Sequence, residues 1–375
     1  MATISLVAEL HGHRPDQAGD TLTAALLSAA FGGLLICFIM LSWGPTLLAA
    51  TGCDPSLVPF SWQYLRIRAF AAPAAILTQV CQGGLLAQRD SVTPFKVVFF
   101  SLALSLAGDL YLVGVLQMGL VGAALTTVAA QYVSSALLLR SLFLSKTAPT
   151  IRFPKILTFS NILHRASGLG IFYVAKTTSY LLLQASATRL PPLMLAAHQT
   201  IWQIWGVCSF MNTPLEQAAL TFIPIARSET ERRELIVLLL SLGAMFGVLC
   251  AIVAHGLPAI APGLLVSDQA LWPLLRSVWV PGTLALFACG LDVSSTGVLL
   301  ASREVSYVAR SMIVSLTVLA TYFTIIAMQG PFRIGIMQLK SVWWGLSIFF
   351  LARVLQSFPR AVSKIPNLKN LKNYY

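Results

Sequence analysis

A chain of 375 residues that is 57% hydrophobic and 10% charged lacks the roughly 25% of charged residues that coat a soluble fold, which excludes one large soluble helical core. No Walker-type Gly-Lys-Ser/Thr run, serine elbow or metal-helix motif points to nucleotide-driven export or to enzyme chemistry. The net charge of +12 falls in loops that flank apolar segments, so it speaks for a membrane surface and against nucleic acid as partner.

A helix needs about 20 mostly apolar residues to cross a bilayer. Ten segments qualify: 22–48, 56–88, 94–116, 119–143, 168–188, 193–225, 235–262, 270–301, 307–329 and 335–358. The opening stretch is polar, so no signal peptide is expected; its His11 and His13 are a weak metal hint. The second segment holds Tyr64, Arg68 and Pro73, the third Ser105 and Asp109, and the fourth Thr127 and Gln131. The longest polar connection, Ser145 to Ser167, follows. The fifth segment carries Lys176; the sixth carries His198, Gln199, Glu216 and Gln217. Arg276, Asp292 and Thr296 fall in the eighth and Lys340 in the tenth. A basic tail, Lys364 to Lys372, closes the chain. The cysteines are scattered without metal-ligand spacing; Cys37, Cys81, Cys208, Cys250 and Cys289 fall in apolar segments and Cys53 near a loop.

Ten crossings put alternate loops on opposite faces. One face then collects most of the basic residues, among them Arg89, Lys96, Arg140, Arg232, Arg303, Arg353 and Lys364. The other face receives Arg189 and Arg333. This is the positive-inside bias, and it places both termini on the cytosolic or stromal side.

The run Leu85-Leu86-Ala87-Gln88-Arg89-Asp90 returns as Leu299-Leu300-Ala301-Ser302-Arg303-Glu304. Tyr64, Arg68 and Pro73 match Trp272, Arg276 and Pro281 at equal spacing, although the second copy is six residues longer between its Pro and its Leu-Leu. The two copies close segments two and eight, a period of six helices. A membrane chain of two related halves is usually a transporter whose site lies where the halves meet. With the polar connection as the joint, the second half has its motif on a fourth helix and the first half on a second. The first half is therefore expected to lack two helices at its front. Residues 1–145 are read as that incomplete half, 146–167 as the joint, 168–358 as the complete half and 359–375 as the tail.

Several runs carry a family resemblance: Tyr64 to Arg68 with Pro73, Gly108-Asp109, Gly119 to Ala124 with Gln131, Ala197-His198-Gln199, Pro214 to Ala218, and Gly297 to Glu304. In this order and spacing they resemble the multidrug and toxic compound extrusion (MATE) transporters, of the DinF-like branch and closest to its plant and algal plastid-envelope members. The resemblance implies an all-α integral membrane fold, about ten helices of a twelve-helix, two-lobe transporter. It also implies a secondary-active antiporter that exports an organic compound, such as an aromatic or organic anion, against H⁺ or Na⁺ by alternating access, with no cofactor. A monomer in the plastid envelope or the plasma membrane is expected. A flippase for lipid-linked substrates and a non-transporting remnant stay open as alternatives.

A charge within a bilayer costs about 2.5–3.5 kcal/mol on insertion scales, so each intramembrane charge is a functional candidate until a partner explains it. The resemblance implies a cation site in the first half, for which Asp109 and Thr127 match and Ser105 stands where the family has Asn. Lys176, Glu216, Gln217, Asp292 and Thr296 are read as lining the substrate path, with Lys176 as counter-ion for an organic anion or partner for Glu216 or Asp292. Each also has a structural reading, as a hydrogen-bonded group inside the bundle. His198, Gln199, Trp202, Trp205, Trp343 and Trp344 are read as packing.

Overall fold

A computed structural model describes residue 7 and residues 15–50, 58–150, 156–328 and 336–365. His11, His13, Cys53, Arg333 and the tail beyond 365 lie outside the described residues. Among the described residues every regular element is helical. The chain divides into two compact units, residues 1–165 and 166–375.

Unit one holds α1 (Pro15–Ala50), α2 (Val58–Ala69), α3 (Ala71–Ala87), α4 (Val92–Asp109) and α5 (Gly119–Phe143). Helix α3 packs between α1 and α5, and α4 lies on α5. Helix α6 (Ile156–Ala187) begins before the boundary and continues into unit two, which also holds α7 (Pro192–Phe210), α8 (Thr213–Phe222), α9 (Glu229–Ala251), α10 (Trp272–Ser277), α11 (Trp279–Ala301), α12 (Val305–Met328) and α13 (Ile336–Val362). The centre of unit two is α11, which packs against α13, α9 and α8. Small residues make that possible. A Cβ on Gly290 would stand 2.8 Å from the Cα of Gly247, and one on Gly243 would stand 2.7 Å from the Gly290 carbonyl oxygen. Two helices thus touch backbone to backbone, the close approach that holds helices together where lipid supplies no hydrophobic drive. Ser228 starts α9 by accepting the Glu231 amide at 3.0 Å, as an N-cap serine does.

Each of the ten expected segments falls on helix. Among the described residues seven helices are long and apolar enough to cross a membrane, or eight if the α2–α3 pair, bent by 46°, counts as one span. Helix α6 is long but diluted by Lys176, Gln184 and hydroxyl residues, and the segment 193–225 breaks between α7 and α8 at Met211–Asn212. Two expectations need correction. The connection Ser145–Ser167 is not all loop, because α6 begins at Ile156. Arg353, assigned to a basic loop face, is wholly buried within α13.

The repeat survives in three dimensions at two points. Each copy breaks its span at the same place, at Phe70 between α2 and α3 and at Val278 between α10 and α11, three residues before Pro73 and Pro281. Each also ends on the same cap. The Asp90 amide donates to the Leu85 carbonyl and Arg89 to Leu86; Glu304 donates to Leu299 and Arg303 to Leu300. This is the Schellman arrangement. Its left-handed position, usually glycine, is arginine in both copies, with φ of 65° at Arg89 and 63° at Arg303.

Beyond the second cap, Glu304 accepts from Arg360 at 3.1 Å and from Lys364, clamping the end of α13 to the α11–α12 corner. Arg360 also lies 5.4 Å from the Tyr307 ring centroid. The Lys364 hydrogen bond, aided by the charges of Lys364 and Arg360, holds the Glu304 carboxyl below the usual carboxylate range. A carboxyl lowered on folding stabilises above its unfolded value of about 4.3, and that contribution fades as pH falls through the folded value. The difference in thermal midpoint between the wild-type chain and Glu304→Gln should be small at neutral pH, because the pair is partly solvated and screened. It should close as pH is lowered through and below the ordinary carboxylate range. A difference that stays constant over this window would rule out the clamp.

Candidate functional site

In unit one the site forms where α4 meets α5. Gly108 lets the helices approach: a Cβ there would stand 2.7 Å from Thr126 Cγ2. Beside that contact the Thr126 hydroxyl donates to an Asp109 carboxylate oxygen, while also lying 3.0 Å from the Ala123 carbonyl. The hydroxyl that reaches Asp109 is therefore that of Thr126 and not of Thr127, which donates to the Ala123 carbonyl of its own helix at 2.8 Å. Adjacent helical residues point about 100° apart, and the sequence pair Thr126-Thr127 does not say which one faces α4. Ser105 lies one turn before Asp109 and is half-buried, as is Asp109 itself. Directly after Asp109 the helix widens into a π-turn, Leu110–Val115, in which the Leu116 amide donates to the Tyr111 carbonyl at 2.9 Å. Such turns insert a residue into a helix and mark functional positions often.

In unit two the strongest polar feature joins α11, α12 and α13. Arg353 Nε and Nη2 donate to Asp292 at 3.2 and 3.1 Å. Arg353 Nη1 donates to Ser311 at 2.7 Å and Nη2 to Thr296 at 2.8 Å. Ser357 and Thr296 donate to Asp292 Oδ1 at 2.9 and 3.2 Å. Arg353 is 0% exposed and Asp292 6%, so this is a buried ion pair with its remaining capacity largely filled. Asp292 and Thr296, read from sequence as lining the substrate path, are held here by Arg353. Sequence reasoning missed Arg353 as a site residue, although it lies five residues inside the predicted span 335–358; its nearness to the basic tail drew it to the loop face.

Glu216, at the start of α8, is also buried, and its Oε1 has no hydrogen-bond partner among the described residues. Gln217 beside it is half-buried. The Nζ of Lys176, on α6, lies 5.9 Å from the Phe172 ring centroid. His198 is buried and stacked on Trp202 at 5.8 Å. Trp202 in turn stacks on Trp205 at 5.0 Å, and Trp343 lies 5.8 Å from His198. These rings pack as expected. Among the described residues neither His198 nitrogen has a hydrogen-bond partner. Gln199 is exposed. The five described cysteines are free and buried. Among the described residues no cluster of His, Cys, Asp and Glu forms a metal site.

Three comparisons bear on this arrangement. The MatE family profile matches residues 1–111. Protein DETOXIFICATION 47, chloroplastic, of Arabidopsis thaliana is 26% identical over 365 residues, covering 95% of this chain and 67% of its own length. DNA damage-inducible protein F of Escherichia coli is 32% identical over 133 residues, 35% of this chain and 29% of that protein. The chain spans between 61% and 67% of the first three plant relatives it matches. Among solved structures, a MOP superfamily transporter from Pyrococcus furiosus shares the fold with a TM-score of 0.83 at 16% identity, covering 98% of this chain and 84% of that one.

Proposed function

We propose that the chain is a secondary-active transporter of the MATE family, a reading supported by the MatE profile match over residues 1–111 and by the similarity to DETOXIFICATION 47. It moves an organic compound across a membrane in exchange for H⁺ or Na⁺, by alternating access. The observation that carries the reading is Asp109, an intramembrane carboxylate bonded to Thr126 at the start of a π-turn. A carboxylate there changes charge when it takes up a proton or sodium, and a charge change in a low-dielectric interior biases one conformation over another. Lys176 favours an organic anion as substrate. The chloroplastic relative supports the plastid envelope over the plasma membrane.

The test is transport in proteoliposomes. A labelled organic acid should accumulate only when a pH or sodium gradient is imposed, and collapsing the gradient should release it. Uptake indifferent to either gradient would remove the exchange mechanism. A flippase instead predicts a row of deep basic residues; in unit two Arg353 is already committed to Asp292, which disfavours that alternative.

A further inference from the structure

The chain that leaves α5 has no regular structure at 148–150, yet residues 144–150 are bonded to two other helices of unit one. Beneath them α1, α3 and α5 meet: a Cβ on Gly84 of α3 would stand 2.8 Å from Leu22 of α1 and 3.0 Å from Leu142 of α5. The turn out of α5 is set by Ser145, whose hydroxyl donates to the Leu142 carbonyl at 2.7 Å. Two anchors follow. At the first, Gln88 binds Thr147 with both ends of its amide: the Thr147 amide donates to Gln88 Oε1 at 2.9 Å, and Gln88 Nε2 donates to the Thr147 carbonyl at 3.2 Å. At the second, α1 holds Thr150. The Thr150 hydroxyl donates to the Asp20 carboxylate at 2.7 Å, the Thr150 carbonyl accepts from the Thr23 hydroxyl at 2.8 Å, and the Thr150 amide donates to the Gly19 carbonyl at 3.5 Å. Gly19 makes room for the approach, because a Cβ there would stand 2.8 Å from the Ala148 carbonyl oxygen.

An irregular segment must still find partners for its backbone donors and acceptors. Here they come from far away in sequence: from Gln88 in the repeated cap run of α3, and from Gly19 and Thr23 in α1. Closing so long a loop costs entropy, but the cost is met largely once. With Thr147 seated on Gln88, Thr150 is tethered close to α1, and Pro149, buried and fixed in φ, removes freedom between the two anchors. A contact formed on such a tether needs little further ordering, so the anchors support each other. The second repeat copy is used in a similar way. Arg360 and Lys364, at the end of α13 and just past it, are bonded to Glu304 of the run Leu299 to Glu304. In each case the chain at the exit of a helix is tied to a copy of the repeated cap. We propose that residues 144–150 form a clasp, opened and closed as one unit, that ties the exit of α5 to the cap of α3 and to the front of α1.

The clasp sets the slack between α5 and α6. Closed, it leaves residues 151–155 between Thr150 and the start of α6 at Ile156, a reach of at most about 18 Å. Open, residues 144–155 are all free and the reach rises to at most about 43 Å. The joint between the two halves is therefore short or long according to the state of the clasp. Neither anchor uses Asp109 or any residue of unit two, so the device stands apart from the exchange proposed above and does not depend on it.

Amide hydrogen exchange of the full chain in lipid nanodiscs tests the unit behaviour, read by mass spectrometry with fragmentation that separates the Thr147 and Thr150 amides. In the wild-type chain both should exchange far more slowly than in a short peptide of the same residues, and by a similar factor. The decisive results are the cross-effects. Thr150→Val keeps the side-chain shape and removes only the hydroxyl that reaches Asp20. It should speed exchange at Thr147 by about three- to tenfold, the effect of one hydrogen bond on the opening equilibrium, although Gln88 is untouched. Gln88→Leu should speed exchange at Thr150 by a similar factor, although Asp20 and Thr23 are untouched. The Leu138 amide inside α5 reports whether the fold is kept. If Gln88→Leu disturbs it, Thr23→Val takes its place: it removes the donor to the Thr150 carbonyl and should speed Thr147 as Thr150→Val does. The clasp is overturned if either amide exchanges in the wild-type chain as fast as in the peptide. It is equally overturned if each substitution speeds only the anchor it touches, because two independent contacts would then hold the segment and no common opening would join them.

Discussion

Replacing Arg353 with methionine should destabilise the protein by about 3–5 kcal/mol, the cost of stranding one member of a buried ion pair. The guanidinium makes bonds to three elements at once: to Asp292 and Thr296 on α11 and to Ser311 on α12, from its own place on α13. Methionine fills much of the volume but leaves the Asp292 carboxylate with hydroxyl donors only. The companion experiment separates the pair's worth from the penalty of breaking it. The double variant Arg353→Met with Asp292→Leu removes both charges and should recover most of the loss, since an apolar replacement of a buried pair is often neutral or stabilising. The measurement is the unfolding midpoint in one fixed lipid or detergent, read as a double-mutant cycle. If the single variant is as stable as wild type, or the double variant is worse than the two singles combined, the pair is not the junction of α11, α12 and α13 described here.

How much of this could be read beforehand differs from element to element. The repeated Leu-Leu-Ala-x-Arg-acid run was legible because it encodes a local event. A helix must end, and the residues that satisfy its last carbonyls sit within six positions of one another, so one six-residue string produces one cap twice. The matched breaks at Phe70 and Val278 were implicit in the same repeat, yet in the sequence Pro73 and Pro281 were only positions at equal spacing; that each span also breaks three residues before them shows only in the backbone. The positions of the apolar segments were legible for the plain reason that hydropathy is summed over many residues. Pairings between helices were not. Whether Thr126 or Thr127 faces Asp109 depends on the rotation of α5, which Gly108 sets by removing a side chain from the facing helix. Whether Arg353 snorkels to a surface or turns inward depends on an acid 61 residues away on α11. Charge counting favoured the surface because lone arginines near span ends usually reach it. The buried partner is a tertiary fact that no local pattern contains.

Gradient-driven flux should fall by about 10- to 100-fold in Asp109→Asn, as expected when a coupling free energy of 1–3 kcal/mol is lost. Asparagine keeps the size of the side chain and an oxygen that accepts from Thr126, so packing between α4 and α5 is preserved and the change is confined to charge. The loss should therefore appear in the dependence on the gradient, with the amount of folded protein in the membrane unchanged. Two further substitutions locate the effect. Thr126→Val keeps the carboxylate but removes its hydroxyl donor, and should change the gradient dependence of flux. Thr127→Val should leave the dependence where it was, since its hydroxyl bonds within its own helix. If Asp109→Asn carries substrate with wild-type gradient dependence, Asp109 is a helix-pairing residue held by Thr126, and the coupling step must be sought among the acids of unit two. There Glu216 is the remaining choice, because Asp292 already spends its charge on Arg353.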